Sequence, residues 1–170
     1  CMAAQKLAQN AQSLESLPVL VVGSGEMGRL ACKHLLNMKA NITLISRTQS
    51  HAQELALELG GQIHIESYER LAELVNQFPL LFSATSAPEY VITKDMLRPS
   101  QTQRWWFDLA LPRDIESIND ERVQIFCVDD LQEVVQEHKS AREESAKSAH
   151  KIVEQFTSNF FAWLQTLSVE

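Results

Sequence analysis

The run from Val19 to Thr48 constrains this chain more than any other. It reads Val-Leu-Val-Val, then Gly23-Ser-Gly25-Glu-Met-Gly28, then a helical stretch, then Ile-Thr-Leu-Ile-Ser46-Arg47-Thr48. A short apolar run, a Gly-x-Gly-x-x-Gly turn, an amphipathic helix and a second β-branched run predict a βαβ unit with a dinucleotide fingerprint. Each glycine has a physical task there. Gly23 permits the tight turn off the strand, Gly25 lets the main chain approach a pyrophosphate with no Cβ in the way, and Gly28 lets the helix sit close to the strand. The helix start, with Ser24, Glu26 and Met27 between and beside the glycines, offers free N–H groups and a positive dipole end to phosphates. Along that helix Met27, Leu30, Ala31, Leu35, Leu36 and Met38 fall on or near one face, the face expected to meet the sheet.

The end of the second strand selects between two dinucleotides. A carboxylate about 20 residues beyond the glycines would hold a ribose 2′-hydroxyl. This chain instead has Ser46-Arg47-Thr48. A guanidinium flanked by two hydroxyls suits a 2′-phosphate, which a carboxylate would repel. The expected cofactor is therefore NADPH rather than NADH.

Composition narrows the class further. With 15 Lys and Arg against 22 Asp and Glu, the net charge of −7 argues against a general nucleic-acid surface on this piece. The 170 residues suffice for one domain with a core and an appendage. Cys1, Cys32 and Cys127 stand far apart, a spacing that suggests neither a disulfide framework nor a metal site and that fits a reducing cytoplasm. No apolar run reaches the length of about 18 residues that a membrane helix needs.

Residues 1–17 read as a helix continued from something upstream, with Leu7, Ala11 and Leu14 in a stripe ended by Pro18. Beyond Thr48, Ser50–Leu59 reads as a helix stopped by Gly60-Gly61, and Gln62–Ile65 as a third strand. A helix from Ser67 and Arg70 through Val75 follows. Leu80-Leu81-Phe82 forms a fourth, buried strand that runs into the small hydroxyl-rich loop Ser83-Ala84-Thr85-Ser86-Ala87-Pro88. In an open α/β sheet ligands bind at that carboxyl edge, which makes Thr85, Ser86 and Ala87 candidates for the nicotinamide end. Tyr90-Val91-Ile92 is strand-like, Lys94–Leu97 makes a turn of helix, and Trp105-Trp106-Phe107 is a buried strand by composition. Asp108 at its end is placed to cap the next turn, Arg113 and Asp114 to form a local ion pair, and Cys127, in a last strand Val123–Val128, to serve as a small core residue.

From Asp129 the character changes: no glycine or proline follows Pro112, and apolar residues recur in steps of three and four to Leu164. A single helix of about 36 residues would be roughly 54 Å long, too long for a domain of this size to cover. It would leave Phe156, Phe160, Phe161, Trp163 and Leu164 without a packing partner in the chain. The expected architecture is thus α/β, a doubly wound, mostly parallel Rossmann-like sheet over 18–128, preceded by the helical piece 1–17 and followed by a long C-terminal helix over 129–170.

Five stretches carry a family resemblance: Val-Leu-Val-Val-Gly-Ser-Gly-Glu-Met-Gly-Arg at 19–29, Ser-Arg-Thr at 46–48, Ser-Ala-Thr-Ser-Ala-Pro at 83–88, Asp-Leu-Ala-Leu-Pro-Arg-Asp-Ile at 108–115 and Val-Asp-Asp-Leu at 128–131. In order and spacing the chain resembles the NADPH-binding domain of the glutamyl-tRNA reductases, and its terminal helix is similar to the spinal helix joining that enzyme's domains. The resemblance implies an oxidoreductase of tetrapyrrole (porphyrin) biosynthesis, cytoplasmic and dimeric when intact. In the family it resembles, a cysteine attacks the ester of glutamyl-tRNA, a thioester forms as the tRNA leaves, and hydride from NADPH releases glutamate-1-semialdehyde. By the same resemblance that cysteine lies in an N-terminal domain that this sequence lacks, and a C-terminal dimerisation domain is missing too, so no residue here is expected to inherit the nucleophile's role and the piece alone is expected to reduce nothing. Two departures stand out. Ser86 replaces a glycine common in the family, and Ser46 an asparagine. Two rivals remain: a dehydrogenase of the shikimate dehydrogenase type sharing the early βαβ unit, and a non-catalytic nucleotide-sensing or assembly module.

Overall fold

A computed structural model describes residues 17–130. The apolar runs become six short strands: β1 (Pro18–Val22), β2 (Asn41–Ile45), β3 (His64–Glu66), β4 (Leu80–Ser83), β5 (Arg104–Asp108) and β6 (Val123–Cys127). All pair in parallel in the order β3-β2-β1-β4-β5-β6. This is the doubly wound order, with its switch point between β1 and β4. Parallel strands at the centre of a sheet are covered on both faces, so they read as continuous apolar runs and not as alternation. Val19 to Val22 and Leu80 to Ser83 are accordingly all buried.

Two α-helices cover one face, α1 (Glu26–Asn37) and α2 (Gln49–Glu58). They bury Cys32, Leu35, Ala52, Leu55 and Ala56 against Val19, Val21, Ile42, Leu44, Leu80, Phe82 and Phe107. Phe82, Phe107 and Phe126 stack across the neighbouring strands β4, β5 and β6, with centroids 4.8 and 5.1 Å apart. The other face is covered differently. A 3₁₀ turn at Tyr68–Arg70 leads into the single-turn helix α3 (Leu71–Leu74), and coil supplies the remainder, burying Leu71, Leu74, Val91, Ile92 and Ile115 against Leu20, Val22, Ile45, Leu81 and Trp106.

The expected parallel α/β sheet is therefore present, with several local differences. The sheet-facing side of α1 is Gly28, Cys32 and Leu35, while Met27 and Leu30 are 46% and 38% exposed. The large side chains lose that face because Gly28 lies so close to the loop after β1 that a Cβ there would sit 2.1 Å from the Gly23 carbonyl oxygen. The helix expected from Ser67 and Arg70 to Val75 divides into the 3₁₀ turn and α3. Ser67 Oγ accepts from the Glu69 N–H at the start, and the Asn76 side-chain amide donates to the carbonyls of Ala72 and Met96 at the end. The Tyr90–Ile92 segment makes one parallel bridge, Ile92 to Ile115, in place of a strand. Lys94–Met96 is a 3₁₀ turn, and β3 begins at His64, where pairing with Thr43 of β2 starts. The helices expected over 1–17 and 129–170 fall outside the described residues, apart from Leu17 and the few positions up to Asp130. Among the described residues no helix is long and apolar enough to cross a membrane.

Candidate cofactor cleft

Parallel strands deliver the loops that follow them to one edge of the sheet, and at the switch point the loops after β1 and β4 part to leave a crevice. A cleft of about 230 Å³ opens there, lined by Gly23, Ser24 and Gly25 after β1, Ser46, Arg47 and Thr48 after β2, and Ala84, Thr85 and Ser86 after β4, with His51 and Tyr68 completing the wall.

The glycine turn is built by close approach. Gly23 has φ +104°, in the left-handed region, and a Cβ on it would lie 2.5 Å from the Ala84 carbonyl oxygen. Its N–H donates to the Ile45 carbonyl at 2.8 Å, while Ala84 N–H donates to Val22 at 2.9 Å, so the three loops are stitched together at their roots. Gly25 differs from its neighbours. A Cβ there would meet nothing within 4 Å, and Gly25 lines the cleft. Gly25 is also the N-cap of α1 and supplies no side-chain cap. The first N–H groups of a helix have no intrahelical partner, so those of α1 remain available to an anion.

The second helix repeats the arrangement. Thr48 is the N-cap of α2 with no side-chain capping bond, and the first turn, Gln49-Ser50-His51, contains no acidic residue. Ser24 Oγ and Ser46 Oγ share a 2.9 Å hydrogen bond that ties the two helix-start loops to each other. Among the described residues the Arg47 guanidinium has no hydrogen-bond or ion-pair partner. Its charge is felt by Tyr68: burial pushes that phenol up, the nearby Arg47 pulls it down, and Asp114 pushes it up again.

Two buried carboxylates hold the β4 side of the cleft. Asp108 accepts from the N–H groups of Ala110, Asp114 and Ile115 at 3.1, 3.3 and 2.9 Å, which fixes the loop after β5. That loop places Asp114 under the loop after β4. There Asp114 accepts from Ser83 Oγ at 2.7 Å, from Thr85 N–H at 2.8 Å and from Thr85 Oγ1, and Thr85 Oγ1 accepts from Ala87 N–H at 3.1 Å. The capping role expected for Asp108 is present. The local ion pair between Arg113 and Asp114 is not: Asp114 is fully buried against hydroxyls and an amide, while the exposed Arg113 donates to Cys127 Sγ at 3.4 Å. Cys127 is likewise not a core residue. It is half-buried at the end of β6, where its thiol donates to Asp130 Oδ2 at 2.9 Å. Cys32 is the buried one, its thiol pushed up to about 12 by burial, and so it stays protonated and unreactive.

Of the residues expected to bind cofactor, Gly23, Ser24, Gly25, Ser46, Arg47, Thr48, Thr85 and Ser86 come together on the cleft. Glu26 and Met27 sit on the exposed first turn of α1, where Glu26 pairs with Arg29 at 2.8 Å. Gly28 lies beneath the helix and Ala87 within the core of the α3 face. His51 and Tyr68 were missed. His51 follows Thr48 by three residues, one helical turn, a spacing that shows it once α2 is known to start at Gln49. Tyr68 has no local signal, since only the pairing of β3 beside β2 brings it to the cleft.

The fold and cleft define a nucleotide-binding dehydrogenase domain. A family described as Shikimate / quinate 5-dehydrogenase matches residues 4–134, most of the chain, and the chain belongs to that family. Within it, the similarity runs to the glutamyl-tRNA reductases. The chain is 63% identical over 169 residues to the glutamyl-tRNA reductase of Helicobacter hepaticus, covering 99% of this chain and 38% of that protein. It is 50% identical over 151 residues to that of Wolinella succinogenes, covering 89% and 35%. Among solved structures, glutamyl-tRNA reductase from Methanopyrus kandleri superposes with a TM-score of 0.82 at 31% identity, over 98% of this chain and 44% of that one. The resemblance read from the motifs is thereby borne out, and the chain spans well under half the length of the curated relatives it matches.

Proposed function

We propose that this chain is the NADPH-binding portion of a glutamyl-tRNA reductase, the oxidoreductase that converts glutamyl-tRNA to glutamate-1-semialdehyde for tetrapyrrole synthesis. One observation carries the reading. A single cleft at the switch point joins two helix starts without side-chain caps, an unpartnered guanidinium and a wall free of carboxylates. Two anionic groups fit it, a pyrophosphate at α1 and a ribose 2′-phosphate at α2. The open space over Gly25 is where the pyrophosphate would lie against main-chain N–H groups. When bound, NADPH supplies the hydride.

The chain's own residues bind and orient. The N–H groups at the start of α1 hold the pyrophosphate, with Ser24 at its flank and Glu26 and Met27 on the outer side of the same turn. Ser46, Arg47 and Thr48 hold the 2′-phosphate. Thr85 and Ser86 line the nicotinamide end, Asp114 fixes the first of them, and Ala87 packs in the core behind the loop. In the whole protein, residues 18–128 form the coenzyme domain, between a helical piece over 1–17 and a spinal helix over 129–170. The nucleophilic cysteine and the glutamyl-tRNA site belong to further parts of a cytoplasmic homodimer, and the piece alone is inactive. Fluorescence titration of NADPH and NADH against wild type and Arg47→Ala tests the assignment. Wild type should favour NADPH by at least about tenfold, a margin of about 1.4 kcal/mol, and the variant should lose that preference. Equal affinities in the wild type would overturn it.

A further inference from the structure

The coenzyme cleft occupies the carboxyl edge of the sheet, and a separate group of buried donors lies toward the amino edge. Arg104 opens β5 and is only 3% exposed. Its Nη2 donates to the Arg98 carbonyl at 3.2 Å, but Nη1 is buried with no hydrogen-bond partner among the described residues. Trp106, two positions further on, is fully buried, and its indole Nε1 likewise lacks a partner, as does Nε2 of Gln103 just before the strand. Residues two apart on a strand share a face, so Arg104 and Trp106 stand on the same side of the sheet.

Arginine and tryptophan side chains donate and cannot accept, so only an acceptor completes them. The carboxylate whose field reaches the guanidinium is Asp120. It forms no ion pair with Arg104, and its Oδ1 accepts from the Arg122 N–H at 2.9 Å. A water would offer lone pairs but leave a permanently charged group buried without a counter-charge, which costs far more than an unmade neutral hydrogen bond. We propose that Arg104 Nη1 and Trp106 Nε1 hold a small inorganic oxyanion, of the phosphate or sulfate class, behind the loop 98–103. Such an ion supplies the acceptor oxygens and the charge together. The loop is coil, tied down where Asn76 Oδ1 accepts from the Arg98 N–H at 2.8 Å and where Arg122 Nη1 donates to the Ser100 carbonyl. Arg98 and Arg122 are themselves exposed, and their charges favour the approach of an anion to this edge. Burial of both donors selects a free ion over the phosphate ester of a larger molecule. The site is independent of the coenzyme reading.

The test follows the indole N–H signals of the chain by NMR while inorganic phosphate replaces chloride at constant ionic strength; Trp106→Phe identifies the Trp106 signal. That signal should move along a saturating curve with a dissociation constant on the order of millimolar. Trp105, which packs on the other face of β5, should not follow it. Sulfate should compete with phosphate, whereas glycerol 3-phosphate, an ester, should not. Arg104→Met should abolish the shift, and Arg47→Ala, which alters only the coenzyme cleft, should leave it unchanged. Thermal unfolding gives a second readout. With phosphate at about ten times the dissociation constant, wild type should gain about 3 to 6 °C over the chloride control, and Arg104→Met only the general salt effect. A wild-type Trp106 signal that stays put or drifts without saturating overturns the proposal whether or not the variant folds, because water then completes these donors. An equal shift in Arg104→Met overturns it as well, and competition by the ester as strong as that by sulfate overturns the assignment to a free ion.

Discussion

Gly23 and Gly25 differ by two positions and by what surrounds them, so the same substitution separates folding from binding. Gly23→Ala forces a Cβ toward the Ala84 carbonyl at a left-handed φ and should lower stability by about 2 to 4 kcal/mol in urea unfolding. Gly25→Ala meets no protein atom, so stability should stay within about 0.5 kcal/mol. NADPH binding, however, should weaken at least about tenfold as a methyl enters the space over the helix N-terminus. A Gly25→Ala protein with unchanged NADPH affinity would remove the pyrophosphate from that turn. The cysteines make a second contrast. Cys32, buried under α1 with its thiol pushed up to about 12, should resist a thiolate-selective reagent at about pH 8 until denaturant is added, as read by peptide mass spectrometry. At this scale the glycine motif and Ser46-Arg47-Thr48 were legible in the sequence, because each acts through its own backbone or an adjacent helix start. The misreading of Arg113 and Asp114 has the opposite origin. Adjacency in sequence suggested a pair, whereas burial gave Asp114 partners 29 to 31 residues away.

Whole loops are positioned by single buried carboxylates. Asp108 organises the segment after β5, and that segment carries Asp114 to the root of the loop after β4. Asp114→Asn keeps the shape but puts an amide, with its own donors, where Ser83, Thr85 N–H and Thr85 Oγ1 all donate. At least one donor then loses its acceptor. The expected cost is about 2 to 3 kcal/mol, with faster hydrogen exchange at the Thr85 and Ala87 amides than anywhere on β1. Unchanged exchange there would show that the loop is held by something other than this carboxylate. The helix α1 carries a related lesson. A stripe of large apolar residues suggested the face with Met27 and Leu30, but close packing on the sheet selected the smaller Gly28 and Cys32 with Leu35. Hydrophobic periodicity ranks faces by size, while contact distance ranks them by what fits.

Acid should loosen the molecule through several exposed ion pairs acting together. Arg70 holds the carboxyls of Glu66 and Glu73 below their ordinary value of 4.5, the Lys94 N–H does the same for Glu116, and the Cys127 thiol lowers Asp130 from 3.8. Carboxylates depressed on folding add stability that is fully present above the unfolded values and lost as pH falls through the folded ones. The urea midpoint should therefore be level from about pH 7 to about pH 5 and fall below about pH 4.5. Added salt should flatten the fall, since these pairs are exposed. A midpoint insensitive to pH in that window would show that the pairs contribute nothing in solution.

The sequence alone determined the parallel α/β class, the glycine turn and the cation after the second strand, because strand length, apolar runs and helix starts are written in contiguous residues. It did not determine which face of α1 meets the sheet, the union of the loops after β4 and β5 through Asp114, or the arrival of His51 and Tyr68 at the cleft. Only the tertiary structure decided these. Strand order and crossover connections join residues far apart in the chain, and a buried carboxylate takes whatever donors the folded loops bring within reach.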